Sequence, residues 1–220
     1  TEAAELRQRA FQRIDTFLEA HPDDPQALYV RAELILREAQ EERDMQRIDD
    51  ALEVLGGLEQ VLLESNQPDL TLDVAGRLVT LDRQMLTLDD GRQVRSGLHR
   101  GEQLLRHVLA ENPDNVAAMV MLGMWLVDQG RIDEAAGFYR LAKKERPVPV
   151  SVEAIRTGQY RQAAMRELAE LHLARYEEEE DPDHRAELMA KAREQIEQLR
   201  TEAREDAAVV LMLEGRVALV

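Results

Sequence analysis

Apolar residues recur three or four positions apart along nearly the whole chain, and no stretch of useful length alternates as a strand would. This spacing predicts an all-α protein, because it gives each segment one apolar stripe when the segment is helical. Short connections between many such segments favour helix hairpins stacked in series. The predicted helices span residues 2–20, 25–43, 46–65, 68–87, 91–111, 115–129, 132–146, 151–178, 182–203 and 206–220.

Capping residues, prolines and turn sequences separate these helices. Asp24-Pro25 and Asp181-Pro182 each combine an N-cap carboxylate with proline at the first helical position. Residues 89–91 and 128–130 read Asp-Asp-Gly and Asp-Gln-Gly, which predicts turns. Pro147 ends the helix before it. The chain is therefore expected to hold nine or ten helices.

Composition excludes several classes of function. The 220 residues include 44 acidic and 28 basic side chains, for a formal net charge of -16. This charge opposes general binding to nucleic-acid phosphates. The absence of cysteine excludes disulfides, thiolate catalysis and cysteine zinc sites. No apolar run approaches the roughly 20 residues of a membrane span.

The segment 116–147 carries the most specific pattern in the sequence. Leu122-Gly123 precedes Ala135 and Tyr139, and Pro147 follows at the end. The two small residues allow a close approach of two helices, and the aromatic ring fills the seam. These offsets match the tetratricopeptide pattern, so the segment resembles a tetratricopeptide repeat. The resemblance implies a right-handed superhelical solenoid of stacked antiparallel helix pairs.

The pattern returns more weakly elsewhere, with small residues 44 to 47 positions apart in successive first helices. The family period is 34, so the helices are expected to be elongated, and HEAT or armadillo repeats are the alternative fold. Arg100 and Gly101 stand where a small alanine is usual. We expect one domain over 1–220, with four hairpins and a half-repeat at each end. The small residues are Ala32, Gly76, Gly123, Ala169 and Gly215.

The family resemblance implies a concave groove that binds a partner protein or peptide through first-helix side chains. Transferred to this sequence, the groove is charged at both flanks and apolar in the middle. Met119 is expected in the core, with Met124 on the groove. The groove residues are Tyr29, Glu33, Asp73, Arg77, Val120, Met124, Val127, Arg166, Glu170, Met212 and Arg216.

The groove residues also limit the partner. The chaperone-binding members grip a carboxylate with lysine and asparagine, and neither residue type occurs at the transferred positions. Arg77, Arg166 and Arg216 are expected to make bidentate contacts to acidic side chains. The net charge favours a partner that is basic overall, and excludes nucleic acid.

Other readings depend on weaker features. The apolar stretch 209–220 predicts self-assembly if it is exposed, and the chain is expected to be a piece of a longer protein. No enzyme motif, cofactor motif or metal-ligand spacing is found, and the sequence predicts a non-enzyme. The acidic run 177–181 is either a docking patch or a solvated helix end. Cytoplasmic and cell-envelope locations are both compatible with this sequence.

Overall fold

The computed structural model describes residues 2–42, 45–65, 67–88, 98–144, 152–202 and 207–219. These residues form ten α helices and no strand, so the all-α prediction is confirmed. The helices are α1 (Glu2–Ala20), α2 (Pro25–Glu42), α3 (Met45–Glu64), α4 (Pro68–Leu88), α5 (Leu98–Glu111), α6 (Val116–Asp128), α7 (Ile132–Ala142), α8 (Val152–Glu178), α9 (Pro182–Glu202) and α10 (Ala207–Leu219).

Side-chain caps fix the starts of three helices. The Asp24 carboxylate accepts a hydrogen bond from the Ala27 amide at 2.8 Å, at the start of α2. The Asn115 side chain accepts one from the Ala118 amide at 2.9 Å, at the start of α6. Asp181 accepts from the Asp183 and His184 amides at 2.8 and 3.0 Å, at the start of α9. Each bond satisfies amides that have no partner within the helix.

The turn predicted at 128–130 ends α6. Gly130 has a φ of 71°, a conformation that favours glycine. Its amide donates to the Val127 carbonyl at 2.9 Å, and the Arg131 amide donates to the Leu126 carbonyl at 2.8 Å. This pair of bonds is a Schellman motif, which directs the chain into α7. The predicted turn at 89–91, and Pro147, lie outside the described residues.

The chain divides into two compact units, Thr1–Glu111 and Asn112–Val220. In the first unit α2 packs on α3 and α4 packs on α5, while α1 lies against α2. Its core is built largely from leucine and small residues on these helices. Fully or almost fully buried members include Ala32, Leu36, Leu55, Leu58, Leu62, Val74, Ala75, Leu78, Leu104 and Leu105.

The second unit repeats this arrangement. Helix α6 packs on α7, α8 packs on α9, and α10 lies against α9 and α8. Helix α8 also contacts both α6 and α7, so it joins the two hairpins. One cluster of this core contains Met165, Ala169, Leu173, Met189, Ala192, Ile196, Leu199, Val210 and Leu213.

Glycine residues allow two pairs of helices to pack closely. A Cβ atom added at Gly123 would lie 2.5 Å from Tyr139 Cε1, and both residues are buried. The tyrosine of α7 therefore fills the space left by the glycine of α6 in the same hairpin. A Cβ added at Gly101 of α5 would lie 3.2 Å from Val79 Cγ2 of α4. Gly101 thus occupies the small-residue place at that crossing.

Candidate partner-binding surface

Four of the predicted groove residues meet in the first unit. Tyr29 and Glu33 lie one turn apart on α2, and Asp73 and Arg77 lie one turn apart on α4. The Arg77 guanidinium forms an ion pair with the Glu33 carboxylate, in which Nη2 donates to Oε2 at 3.0 Å and Nε lies 2.7 Å from Oε1 without a hydrogen bond. The two side chains are only 23% and 28% exposed. We call Tyr29, Glu33, Asp73 and Arg77 the α2–α4 cluster.

The pKa of the Tyr29 hydroxyl reflects the charges in the α2–α4 cluster. Partial burial raises its pKa above the usual 10.0, and the charges of Glu33 and Asp73 raise it further. Arg77 acts in the opposite direction. Because all three charges act on one phenol, the four residues lie close together. Two carboxylates against one guanidinium make the α2–α4 cluster acidic, and the phenol supplies a hydrogen-bond donor.

In the second unit, the predicted apolar middle of the groove is only partly accessible. Val120 of α6 is 1% exposed, so the structure places it in the core and not on a surface open to a partner. Met124 and Val127 are partly buried. The two remain available at the surface of α6, while Val120 stabilises the packing beneath.

The arginines predicted for the groove in the second unit already have partners in the chain. Arg166 pairs with Glu167 at 2.9 Å, and Arg216 pairs with Glu177 at 2.7 Å. With the Arg77–Glu33 pair, each of the three arginines expected to bind acidic side chains is held by a carboxylate of its own chain. A partner carboxylate would have to replace that contact. Glu170 is partly buried, and Met212 is 52% exposed.

The side chain of Met119 lies in the core as expected, and that of Trp125 lies there too. Met119 and Trp125 are each 3% exposed and belong to the core. The Arg131 guanidinium lies over the Trp125 ring at 5.9 Å from its centroid. The indole Nε1 of Trp125 is buried without a hydrogen-bond partner in the described structure. Trp125 therefore supports the fold and does not add to the α6 surface.

The acidic run 177–181 shapes the turn between α8 and α9. A Glu179 carboxylate oxygen accepts hydrogen bonds from the amides of Glu180 and Asp181, and the other contacts His184 Nδ1 at 2.5 Å. These bonds, above all the one from the Asp181 amide, lower the pKa of Glu179. Bonds from the His184 and Asp183 amides lower the pKa of Asp181. Two of the acids thus have a structural role.

The described residues contain no group of three or more histidine, aspartate or glutamate side chains that could hold a metal ion. Among the helices described, none is long and apolar enough to cross a membrane. His172 of α8 is partly buried, and its pKa lies below 6.5 through desolvation and then through the nearby Lys191, Arg175, Arg140 and Lys143.

The pairing of Glu33 with Arg77 was not anticipated from the sequence, although a signal for it exists. The two residues are 44 positions apart. Glu33 directly follows Ala32, and Arg77 directly follows Gly76. These two small first-helix residues are also 44 positions apart. Equivalent positions of consecutive hairpins thus face one another, so opposite charges at those positions predict an ion pair.

Residues 92–148 match the sequence model of the tetratricopeptide repeat family. The match covers about a quarter of the chain and includes the whole α6–α7 hairpin. It confirms the resemblance predicted from Gly123, Ala135 and Tyr139, and favours it over HEAT or armadillo repeats. A search of the curated proteins found no match.

Proposed function

Because the chain contains a tetratricopeptide repeat within an all-helical fold of stacked hairpins, we propose that it is an adaptor that recruits a partner protein. Repeats of this family generally mediate protein–protein interaction and are not catalytic. Stacked hairpins present extended surfaces on which successive first helices contribute side chains. The proposed contact surfaces are the α2–α4 cluster in the first unit and, in the second, the Met124 and Val127 side of α6.

The α2–α4 cluster carries this proposal, because it gathers polar side chains from two consecutive hairpins at one place. Its charge favours a partner segment with lysine or arginine side chains. Asp73 is exposed, and its charge acts on the Tyr29 hydroxyl, so a basic partner segment would be attracted to this place. The net charge of -16 supports the same choice, since it speeds encounter with basic partners.

Charge reversal tests this surface. Asp73→Lys should abolish capture of the partner from a lysate of the source cells, because the exposed carboxylate becomes a cation. Glu53→Lys of α3 is the matched control, since Glu53 is exposed in the same unit and lies outside the cluster. A protein retained by the wild type and by Glu53→Lys, but lost with Asp73→Lys, is then purified and its affinity measured by calorimetry. Equal affinity for all three forms contradicts the proposal.

The α6 surface is tested separately. Met124→Glu should keep the fold and weaken capture, because a charge replaces an adaptable apolar contact. Leu141→Glu of α7 is the control, since Leu141 is 41% exposed on the second helix of the same hairpin. Unchanged capture by Met124→Glu would remove this surface from the proposal and leave the α2–α4 cluster as the contact.

Self-assembly is the alternative function, and the exposure of α10 is the observation in its favour. Leu211 is 65% exposed and Met212 is 52% exposed. Light scattering over a range of protein concentrations separates the two functions. A mass that rises with concentration, and no longer does so in Leu211→Glu, would favour self-assembly, whereas a monomer throughout would exclude it for this chain.

A further inference from the structure

Four cations of the second unit act electrostatically on one histidine of this otherwise acidic chain. Arg140 and Lys143 come from the end of α7, Arg175 from α8 and Lys191 from α9. All four lie close enough to His172 of α8 to lower its pKa, after the larger effect of desolvation. We call these five residues the α7–α9 cation cluster. Two of the chain's three lysines belong to it.

Contacts between the three helices hold the cluster in place. Arg175 Nη2 lies 2.6 Å from Asp133 Oδ1, which joins α8 to α7. The Lys143 ammonium donates to Gln195 Oε1 of α9 at 3.0 Å, and Gln195 is only 4% exposed. Arg161 of α8 donates to the Lys143 carbonyl at 3.2 Å. The positive charges are therefore positioned by tertiary packing.

Neutralisation of the cluster is incomplete. Arg175 pairs with Asp133, and Lys191 pairs with Glu187 at 2.6 Å. The hydrogen bonds of Arg140 and Lys143 go instead to neutral acceptors. Arg140 Nε donates to the Ala136 carbonyl at 3.1 Å, and Lys143 donates to the amide oxygens of Gln195 and Gln198. Asp133 acts on Arg140 only electrostatically, so neither cation has a carboxylate within ion-pair distance in the described structure.

The histidine adds an unsatisfied polar atom to this cluster. His172 Nδ1 is buried and has no hydrogen-bond partner within the described structure. A buried polar atom without a partner is costly, and a ligand that supplies an acceptor or donor removes that cost. The cluster thus combines two cations that lack an ion-pair partner with a buried imidazole nitrogen that lacks a hydrogen bond.

The cluster lies on a different side of α8 from Glu170, a residue of the predicted groove. His172 follows Glu170 of the predicted groove by two residues, which turns its direction by about 200° around α8. Arg175 follows Glu170 by five residues, or about 140° around the helix. The two sets of side chains therefore occupy different sides of α8.

We propose that the α7–α9 cation cluster binds a short acidic segment of a second protein, with its carboxylates on Arg140 and Lys143. Carboxylates pair well with both side chains, and the planar guanidinium can hold one in a bidentate manner. The cluster is small, and at physiological salt its field extends only about 8 Å. A long polyanion such as nucleic acid would extend over the rest of the acidic chain and be repelled. With a basic partner elsewhere, the chain would bridge two proteins of opposite charge.

The test uses the full chain and a fluorescein-labelled hexaglutamate peptide with blocked ends, followed by fluorescence anisotropy. The wild type should bind the peptide, and added salt should weaken binding. Arg140→Glu combined with Lys143→Glu should weaken binding by at least about tenfold, because attraction becomes repulsion. Arg140→Gln alone should weaken binding by a smaller factor. Within the described structure the Arg140 side chain donates only to the Ala136 carbonyl, so the fold is retained.

Arg193→Glu is the matched control. Arg193 is exposed on α9, two residues from both Lys191 and Gln195, so it points to the other side of the helix. Arg193→Glu changes the net charge by half as much as the double variant Arg140→Glu with Lys143→Glu. A second control, Arg193→Glu combined with Arg13→Glu, changes the net charge by the same amount as that double variant. Both controls should bind as the wild type does, and circular dichroism should show the same helix content in every variant.

Three results would overturn the proposal. These are no peptide binding at millimolar concentration, an equal loss of binding in the charge-matched control, and tighter binding of an oligothymidylate of the same charge. The last result would instead assign the cluster to nucleic acid. Met124→Glu and Asp73→Lys should leave peptide binding unchanged, so failure here is distinct from failure of the proposed adaptor surfaces.

Discussion

The α6–α7 and α4–α5 hairpins each have a glycine where their two helices cross, but the glycine lies on a different helix in each hairpin. In α6–α7 the glycine lies on the first helix, where Gly123 faces the Tyr139 ring of the second. In α4–α5 the glycine lies on the second helix, where Gly101 faces Val79 and the Ala75 carbonyl of the first. The crossing therefore requires one missing side chain, and either helix can supply it. The two sites differ in what a new side chain would meet.

The largest effect is expected at Gly123. Gly123→Leu should destabilise the protein by several kcal/mol or prevent folding, because the fully buried Tyr139 ring occupies the required space. Gly123→Ala should already cost about 1–3 kcal/mol, since even one Cβ would lie 2.5 Å from the ring. Urea unfolding measures both changes.

Gly137→Ala of α7 is the control for Gly123→Ala. A Cβ at Gly137 would have no neighbour within 4 Å, so this change should stabilise the same hairpin by up to about 1 kcal/mol through helix propensity. If Gly123→Ala and Gly137→Ala shift the urea midpoint alike, the assigned contact between Gly123 and Tyr139 is wrong.

A smaller effect is expected at Gly101. Its new Cβ would lie 3.2 Å from Val79 Cγ2 and 3.5 Å from the Ala75 carbonyl oxygen, so a shift of a few tenths of an ångström accommodates it. The gain in helix propensity, about 1 kcal/mol, offsets part of this strain. Gly101→Ala should therefore change the free energy of unfolding by no more than about 1 kcal/mol. A loss as large as that of Gly123→Ala would show that the two crossings are equally tight.

The smallest effect concerns titration of His172. Its pKa in the folded protein lies below 6.5, so the unfolded chain binds more protons between the two values. Stability from this residue is therefore complete above pH 6.5 and decreases as the pH falls through 6.5 toward the folded pKa. Lys143→Gln should raise the folded pKa, because one nearby positive charge is removed. NMR titration of the imidazole measures the change.

NMR titration of His172 also distinguishes the helix crossing at Gly123 from the one at Gly101. Gly123→Ala displaces α7, whose end carries Arg140 and Lys143, so the pKa of His172 should shift. Gly101→Ala changes the other compact unit and should leave this pKa where it is. A shift of equal size in both variants would contradict the local origin of the effect.

Much of the fold followed from local sequence signals. The expected bounds of α1, α4 and α8 agree with the structure within one residue, and the caps at Asp24 and Asp181 form as expected. Helix α7 ends at Ala142, earlier than the predicted 146. Helix periodicity and capping are properties of neighbouring residues, which explains why they are readable without a structure.

Val120 shows where local signals fail. Residues 116–127 contain no charged side chain, so the sequence gives no polar face by which to orient α6. The transferred family positions put Val120 on the groove, whereas the structure buries it. Helix α6 contacts both α7 and α8, and a helix with two neighbours must bury more than one stripe. Only the packing of those neighbours decides which residues remain accessible.

The sequence by itself determined the helices and their caps, because these depend on contacts within a few positions of the chain. Tertiary structure decided which charges meet. Arg77 forms an ion pair with Glu33 of another hairpin, and Lys143 donates a hydrogen bond to the amide oxygen of Gln195 and not to a carboxylate. The energy of a charge depends on distances between helices, and these are fixed only when the cores on either side of a helix have packed.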